Sequence, residues 1–177
     1  ELEVADMENR NVLLKTAVDE FLETSEEHYD YVIIDCPPSL GLLVINAMCA
    51  VHEMLIPIQA EYYALEGLGQ LINTIGLVQE HFNPSLLVST MLITMFDKRT
   101  LLSREVHDEV KNHYPTIVLN TTIPRTVKIS EAPSFNQSVI AYDPKGMGAI
   151  AYCEAALEIA RRSQTVLKAI DARRNEN

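Results

Sequence analysis

Hydrophobic positions along this chain alternate between short unbroken apolar runs and longer segments in which apolar residues recur at helical spacing. Unbroken runs of this kind are typical of strands buried on both faces of a parallel sheet. They occur at residues 31–35, 54–58, 86–96 and 117–123. Weaker runs at residues 2–4 and 139–142 predict two further short strands.

Between these runs, apolar residues at a spacing of three and four predict helices. The predicted helices cover residues 11–24, 64–82 and 103–113, a segment capped by Ser39 that ends near Val51, and a last segment from about Lys145 to Arg173. Residues 124–133 are predicted to form a polar loop or a short helical turn. Strands and helices that alternate in this way build βαβ units. We therefore expect an α/β fold, a mostly parallel sheet with helices on both faces, in a single domain over residues 1–177.

Composition supports a soluble globular protein and indicates a cytoplasmic one. Of 177 residues, 47% are apolar and 22% are charged, which is ordinary for a compact domain of this length. The sequence contains no apolar run of the roughly 18 residues needed to cross a bilayer, and no signal peptide. Three cysteines without metal-ligand spacing favour reduced thiols.

The charge is distributed unevenly, and this changes what the net value of −11 excludes. Residues 1–66 contain 14 acidic side chains but only two basic ones, Arg10 and Lys15. Residues 67–177 contain 11 acidic and 12 basic side chains, so this part is nearly neutral. A local basic surface for nucleic acid is therefore compatible with the acidic total.

Asp35 is the first candidate for chemistry, because it follows the apolar run at residues 31–34 and precedes two prolines. Ligands of open α/β sheets bind beyond the carboxyl ends of the strands. A carboxylate there can hold Mg²⁺, as the Walker-B aspartate of P-loop nucleotidases does. From the residues alone, an aspartate that merely begins a turn is an equally open interpretation.

The usual partner of a Walker-B strand is absent from this sequence. None of the six glycines lies in a G-x-x-x-x-G-K-[ST] phosphate loop, and the sequence begins at Glu1 instead of at a methionine. We therefore expect the amino-terminal part of the protein to be missing from this sequence.

Five sequence blocks, in order, carry a family resemblance. They are YDYVIIDCPPSLG at 29–41, IPIQAEYYALEG at 56–67, LITMFD at 92–97, IPR at 123–125 with SEAP at 130–133, and YDP at 142–144. In these blocks the chain resembles the ParA/Soj chromosome- and plasmid-partitioning ATPases, which are deviant-Walker relatives of MinD. The family's amino-terminal strand and lysine-rich phosphate loop have no counterpart in these residues.

The resemblance implies a P-loop NTPase-like fold of the SIMIBI type, truncated at the amino end. It implies an ATP- and Mg²⁺-dependent switch that acts on the nucleoid in the cytoplasm and does not bind membranes. In such a switch, two ATP-bound subunits form a homodimer and bind non-specific DNA, and a ParB-like protein stimulates hydrolysis. The intact protein is thus expected to be an ATPase, whereas this chain alone is expected to be inactive because it has no phosphate loop.

The resemblance also assigns residues. Asp35 matches the family's catalytic switch-II aspartate, which positions magnesium near the γ-phosphate. The nucleotide base is expected to contact two loops. The first contains Met95 and Asp97, and the second contains Pro124, Arg125 and Thr126. Arg99 and Lys128 match the two basic positions through which the family grips DNA.

Two functional alternatives remain open at this point. The chain could belong to a MinD-like membrane-cycling ATPase, since its last helix is basic and amphipathic. This helix contains no Phe or Trp, which are typical of helices that bind a membrane surface. We therefore expect it to pack on the sheet. Alternatively, the chain could be a non-catalytic interaction module.

The absent amino-terminal strand is also expected to leave strand edges exposed, and thus to favour oligomers.

Overall fold

A computed structural model describes the backbone of residues 9–175 and the side chains of residues 9–163. The helices are α1 (Leu13–Thr24), α2 (Leu42–Ala50), α3 (Ala64–His81), α4 (Leu101–His113), α5 (Val127–Glu131), α6 (Val139–Tyr142) and α7 (Met147–Asn175). The strands are β1 (Glu53–Gln59) and β2 (Leu87–Thr94), and a 3-10 helix, Ala132–Phe135, follows α5. The strand predicted at residues 2–4 lies outside the described residues.

The strands are parallel, as the alternation of strands and helices predicted. At one end of the pair, the Leu87 N–H donates to the His52 carbonyl at 2.9 Å, and at the other end the Ala60 N–H donates to the Thr94 carbonyl at 2.9 Å. Since both partners advance together along the chain, β1 and β2 run in the same direction. The predicted α/β class with a parallel sheet is therefore confirmed.

A third segment pairs with β2 and, further along, with the loop that follows β2. Parallel bridges join Met91 to Val118 and Phe96 to Pro124. Between these bridges the N–H groups of Asn120 and Thr121 donate to the Glu158 carboxylate instead of to a strand. The strand predicted at residues 117–123 is thus interrupted, because a side chain from α7 takes the donors that a regular ladder would use.

Two other predicted strands are wrong. Residues 31–35 carry neither a helix nor a strand, within the described range residues 32–35 form no backbone hydrogen bond of a strand, and Ile33 is 89% exposed. An apolar run becomes a strand only where a neighbouring segment satisfies its backbone groups. At residues 139–142 the chain forms the short helix α6, because the Ser138 hydroxyl caps it by accepting from the Ala141 N–H at 3.3 Å.

The other elements follow the pattern to within three residues at their ends. One capping prediction is wrong, because α2 begins after Gly41, with no side-chain cap, and not after Ser39.

The chain divides into two compact units. The first unit takes in the described residues of Glu1–Met54 and Gln70–Leu87, and the second takes in those of Leu55–Gly69 and Val88–Asn177. The single-domain organisation stays a prediction.

In the first unit, two buried asparagines connect backbone segments that are distant in sequence. Asn46 donates to the Arg10 carbonyl at 2.7 Å and accepts from the Leu14 N–H at 3.3 Å, which ties α1 to α2. Asn83 donates to the carbonyls of Met48 and Val51, both at 2.8 Å, at the end of α2. Asn83 thereby satisfies carbonyls that the C-terminal end of α2 leaves without a helical partner.

In the second unit, α7 packs on the sheet. The core cluster consists of Leu92, Leu119, Ile123, Ala151 and Ala155, with Ile129 and Ile159 against it. Alanine at positions 151 and 155 lets the helix approach the sheet closely. The predicted packing of the last helix is confirmed for its described side chains.

Candidate functional site

The end of β2 carries an unusual backbone conformation. Met95, the first residue after the strand, has a φ of 53°, which lies in the left-handed region. Non-glycine residues adopt this conformation at a cost of about 1 kcal/mol, and they concentrate at functional turns. The turn takes the chain from β2 into the loop that contains Asp97 and Arg99.

Backbone hydrogen bonds join this loop to the next one. The Phe96 N–H donates to the Ile123 carbonyl at 3.0 Å, and the Arg125 N–H donates to the Phe96 carbonyl at 3.0 Å. The five residues expected around a nucleotide base therefore come from two adjacent loops, at the carboxyl ends of two parallel segments. They are Met95, Asp97, Pro124, Arg125 and Thr126.

Within the first loop, Asp97 and Arg99 form a closed ion pair. The Arg99 Nη2 donates to Asp97 Oδ2 at 2.7 Å, and its Nε donates to Oδ1 at 2.9 Å. The Arg99 backbone N–H also donates to Oδ1, at 3.0 Å. These hydrogen bonds from Arg99, with its charge and that of Arg125, lower the pKa of Asp97 to about 2. Asp97 is therefore an anion at any physiological pH.

The second loop is organised by Thr126 and Arg125. The Thr126 hydroxyl caps α5 by accepting from the Ile129 N–H at 3.3 Å, so this side chain has a structural role. Arg125 lies 3.7 Å from the Glu61 carboxylate, in a loose and exposed ion pair. Glu61 follows β1 and precedes the exposed ring pair of Tyr62 and Tyr63, whose centroids are 5.3 Å apart.

Lys128, in the first turn of α5, has two neighbours in the same unit. Its Nζ donates to Glu131 Oε2 at 3.2 Å and lies 5.2 Å from the centre of the Tyr142 ring. The Tyr142 hydroxyl donates to the same Glu131 oxygen at 3.2 Å. The bond to Glu131, with the further contribution of Tyr142, raises the pKa of Lys128, which therefore stays cationic.

Each of these three cations thus has a carboxylate partner nearby. We call Arg99–Asp97, Arg125–Glu61 and Lys128–Glu131 the cation pairs. Sequence reasoning identified the cations but missed their partners. The Lys128–Glu131 pair had a readable signal in its spacing of three on a helix, whereas Arg125–Glu61 joins distant segments.

Asp35 belongs to the first unit and is exposed. Burial, and secondarily the charge of Asp35, raise the pKa of the Cys36 thiol, so this cysteine is poorly suited to be a nucleophile. Among the described residues no three His, Cys, Asp or Glu side chains are grouped as a metal site would require. One exposed carboxylate still fits Mg²⁺, because this ion keeps several waters and completes its shell with substrate phosphates.

A further polar cluster that the sequence did not reveal connects α7 to the interrupted strand. Glu158 accepts from the N–H groups of Asn120 and Thr121, at 2.9 and 3.1 Å, and from Arg162 at 2.7 Å. Arg162 in turn donates to the carbonyls of Ile117 and Val118, both at 3.1 Å. We call Glu158 and Arg162 the α7 clamp. Its role is to hold the backbone that leads to the second loop.

In the part of the chain that the structure describes, no helix combines the length and apolar character of a membrane span.

Comparison with known proteins identifies relatives over most of the chain. A family model described as an AAA domain matches residues 1–88. The chain is 50% identical over 160 residues to the sporulation initiation inhibitor protein Soj of Bacillus subtilis, and the matched region covers 90% of this chain and 62% of that protein. It is 44% identical over 162 residues to the chromosome partitioning protein ParA of Myxococcus xanthus, and the matched region covers 92% of this chain and 56% of that protein.

A solved structure supports the same fold. Cobyrinic acid a,c-diamide synthase from Mycobacterium smegmatis, determined with bound ADP and magnesium, matches with a TM-score of 0.73 and 36% identity. The match covers 93% of this chain and 58% of that chain. The fold is therefore that of P-loop NTPases of the ParA/MinD type. The chain spans about three fifths of the length of these relatives.

Proposed function

Because the chain is a homologue of the Soj/ParA chromosome-partitioning ATPases over most of its length, we propose that it works in an ATP-driven switch that partitions DNA. In this proposal the chain contributes the magnesium-associated aspartate, the loops around the nucleotide base and a surface for DNA. The single observation that carries the assignment is the pair of backbone hydrogen bonds through Phe96, which brings the two candidate base-binding loops together.

The base-binding role rests on the geometry of these loops. Met95 supplies an apolar side chain beside a turn of fixed shape, and Pro124 supplies a rigid ring without a backbone donor. Purine sites are mostly apolar, with a few backbone groups that fix orientation. Because both carboxylate oxygens of Asp97 accept from Arg99, we propose that Asp97 shapes the first loop. Thr126, which caps α5, is proposed to fix the start of that helix.

Asp35 is proposed to act on magnesium. A carboxylate there would hold the ion or its waters, while bound ATP would supply phosphate oxygens, and magnesium would then neutralise charge that develops on the γ-phosphate. The relative solved with ADP and magnesium is consistent with this assignment. The phosphate-binding loop that such a reaction requires has no match in the 177 residues.

Arg99 and Lys128 are proposed to contact DNA phosphates. Both lie in the second unit and are exposed, Arg99 within the first base-binding loop and Lys128 in α5, directly after the second. Phosphate contacts require only long cationic side chains on one surface and carry no sequence information. The proposed partners are therefore non-specific DNA, a second copy of the chain in the ATP state, and a ParB-like protein that stimulates hydrolysis.

The test is a double substitution, Arg99→Ala with Lys128→Ala, in the protein made from its complete reading frame. Loss of two phosphate contacts is expected to weaken binding to a random-sequence duplex and to lower the slope of log affinity against log salt by about 1.8. ATP binding, measured with a fluorescent analogue, is expected to persist. The exposed control Arg161→Ala is expected to have little effect on either measurement.

Unchanged affinity and unchanged salt slope in the double variant would remove both residues from the DNA surface. A liposome-pelleting measurement with ATP addresses the MinD-like alternative. Pelleting that depends on ATP would contradict the partitioning proposal and favour membrane cycling.

A further inference from the structure

One of the two cations proposed to contact DNA is already bound to an anion of its own loop. Arg99 presents both Nε and Nη2 to Asp97, and the same carboxylate also accepts from the Arg99 backbone N–H. Two of the guanidinium's donors, arranged to bind a carboxylate or a phosphate in parallel, are therefore occupied.

From this geometry, and resting on the proposed function, we propose that Asp97 competes with DNA phosphate for Arg99 and thereby sets the strength of DNA binding. In this arrangement Arg99 must exchange the Asp97 carboxylate for a backbone phosphate when DNA binds. Asp97 is then a positioning residue that weakens the complex and keeps it readily reversible.

Exposure makes the exchange possible. The Arg99 side chain is 84% exposed, so it can rotate away from the loop, whereas the Asp97 side chain is only 21% exposed. Asp97 is also fixed from the backbone side, because its carbonyl accepts from both the N–H and the hydroxyl of Thr100, at 3.0 Å. The Arg99 backbone N–H, which donates to Oδ1, continues to hold the carboxylate when the guanidinium leaves.

The ion pair between Arg99 and Asp97 is weak enough for a DNA phosphate to displace the carboxylate. An ion pair at a solvent-exposed site is weak, since water screens both charges. A DNA duplex, by contrast, offers many phosphates and releases its condensed counterions when a cation binds. Arg99 therefore gains by the exchange, but by less than a guanidinium that has no carboxylate partner.

The Lys128–Glu131 pair provides an internal comparison. It has a single contact at 3.2 Å, and Glu131 divides its acceptor oxygen between Lys128 and the Tyr142 hydroxyl. An ammonium group also lacks the parallel geometry of a guanidinium. Glu131 is therefore expected to restrain Lys128 less than Asp97 restrains Arg99.

The experiment measures affinity for a fluorescein-labelled random-sequence duplex at saturating ATP, with the protein from its complete reading frame. Asp97→Asn is expected to tighten binding about three- to tenfold, because the neutral amide no longer attracts the guanidinium through charge. Asp97→Ser, which also keeps an acceptor for the Arg99 N–H, is a second variant. The salt slope is expected to stay near that of the unmodified protein, since the number of phosphate contacts is unchanged.

Two controls separate local competition from a general charge effect. Glu154→Gln removes an exposed carboxylate of α7 that forms no ion pair among the described residues, and it is expected to change affinity by less than twofold. In an Arg99→Ala background, Asp97→Asn is expected to lose most of its gain. Thermal unfolding of each variant checks that the fold is retained.

Each outcome is decisive. The competition is supported if both Asp97 variants bind DNA more tightly than the unmodified protein and if this gain requires Arg99. The same conclusion holds if the unmodified protein binds too weakly to measure and only the Asp97 variants bind. Unchanged or weaker binding of the folded variants overturns it, and so does an equal gain in the Arg99→Ala background. Absence of DNA binding by every variant, with ATP bound, overturns the proposed DNA partner itself and the competition with it.

Discussion

Glu158 illustrates how a single side chain can determine the course of a strand. Its carboxylate accepts from the backbone N–H groups of Asn120 and Thr121, which lie between the parallel bridges at Val118 and Pro124. A carboxylate that accepts backbone N–H bonds is strongly stabilised in its charged form. The α7 clamp thus replaces ladder hydrogen bonds at this place and supports the loop that leads to Pro124.

Replacing Glu158 with Gln is expected to lower the free energy of unfolding by about 1–2 kcal/mol at pH 7. The amide keeps the size of the side chain but removes the charge that Arg162 and the two N–H groups contact. Urea unfolding followed by circular dichroism measures the loss. Glu154→Gln is the matched control on the same helix and is expected to unfold like the unmodified chain.

The same pair of variants has an expected pH dependence. Burial alone would raise the pKa of Glu158, but the N–H groups of Asn120 and Thr121, together with Arg162, outweigh burial and lower it. A lowered pKa means that this stabilisation is present above about pH 4.5 and is lost as the pH falls through the folded-state value. The difference between the Glu158→Gln variant and the unmodified chain should therefore shrink below pH 4.5, and a constant difference would contradict the assignment.

Residues such as Asp97 show what sequence reasoning could recover at this scale. The resemblance identified Asp97 and Arg99 as separate elements of two sites, because a motif assigns roles to positions one at a time. Their mutual contact depends on side-chain rotamers in a loop that follows the left-handed residue Met95. No periodicity or spacing rule encodes that loop conformation.

At the scale of elements, two helical glycines are expected to respond oppositely to alanine. A Cβ atom at Gly76, in α3, would meet nothing within 4 Å, whereas at Gly148, in α7, it would lie 2.8 Å from Ile129 Cγ1. Gly76→Ala is expected to stabilise the chain by roughly 0.5–1 kcal/mol, because alanine loses less backbone entropy in a helix. Gly148→Ala gains the same entropy but forces Ile129 to move.

Overpacking of this kind costs roughly 1–3 kcal/mol. The expected net effect of Gly148→Ala is therefore a loss of roughly 1 kcal/mol, measured by urea unfolding beside Gly76→Ala. Restoring space with Ile129→Val in the same chain is expected to recover part of that loss. Stabilisation by Gly148→Ala alone would show that α7 does not approach Ile129 as closely as the structure places it.

Helices were predicted more accurately than strands, and the reason is physical. A helix satisfies its backbone within one segment, so the spacing of apolar residues in α1, α3 and α4 was enough to identify it. A strand depends on a neighbour that sequence pattern does not specify. Residues 32–35 and 139–142 have the composition of strands, but within the described chain they form no ladder.

At the scale of the whole chain, an exposed apolar segment outside the helices and strands favours self-association. Residues 32–35 lie in neither a helix nor a strand, and Ile33 is 89% exposed. Exposed apolar segments of high strand propensity tend to pair with other chains. We therefore expect this 177-residue chain to form oligomers, as the sequence predicted.

Substitution of Ile33 by Lys is expected to reduce self-association, because charge on an exposed apolar segment opposes pairing. Static light scattering over a range of protein concentrations measures the effect. Leu77→Lys is the control, since Leu77 is 57% exposed but lies in the regular helix α3. A monomeric unmodified chain, or equal effects of the two substitutions, would show that residues 31–35 do not drive association.

The sequence by itself determined the α/β alternation, the family resemblance and the choice of candidate residues, including Asp35, Arg99 and Lys128. These properties depend on local periodicity and on motifs, which are written in consecutive residues. Only the tertiary structure decided which apolar runs become strands and which anions face which cations. Those outcomes depend on partners as distant as the 38 positions that separate Asn120 from Glu158, and a backbone or charged group is stabilised by whatever the fold brings beside it.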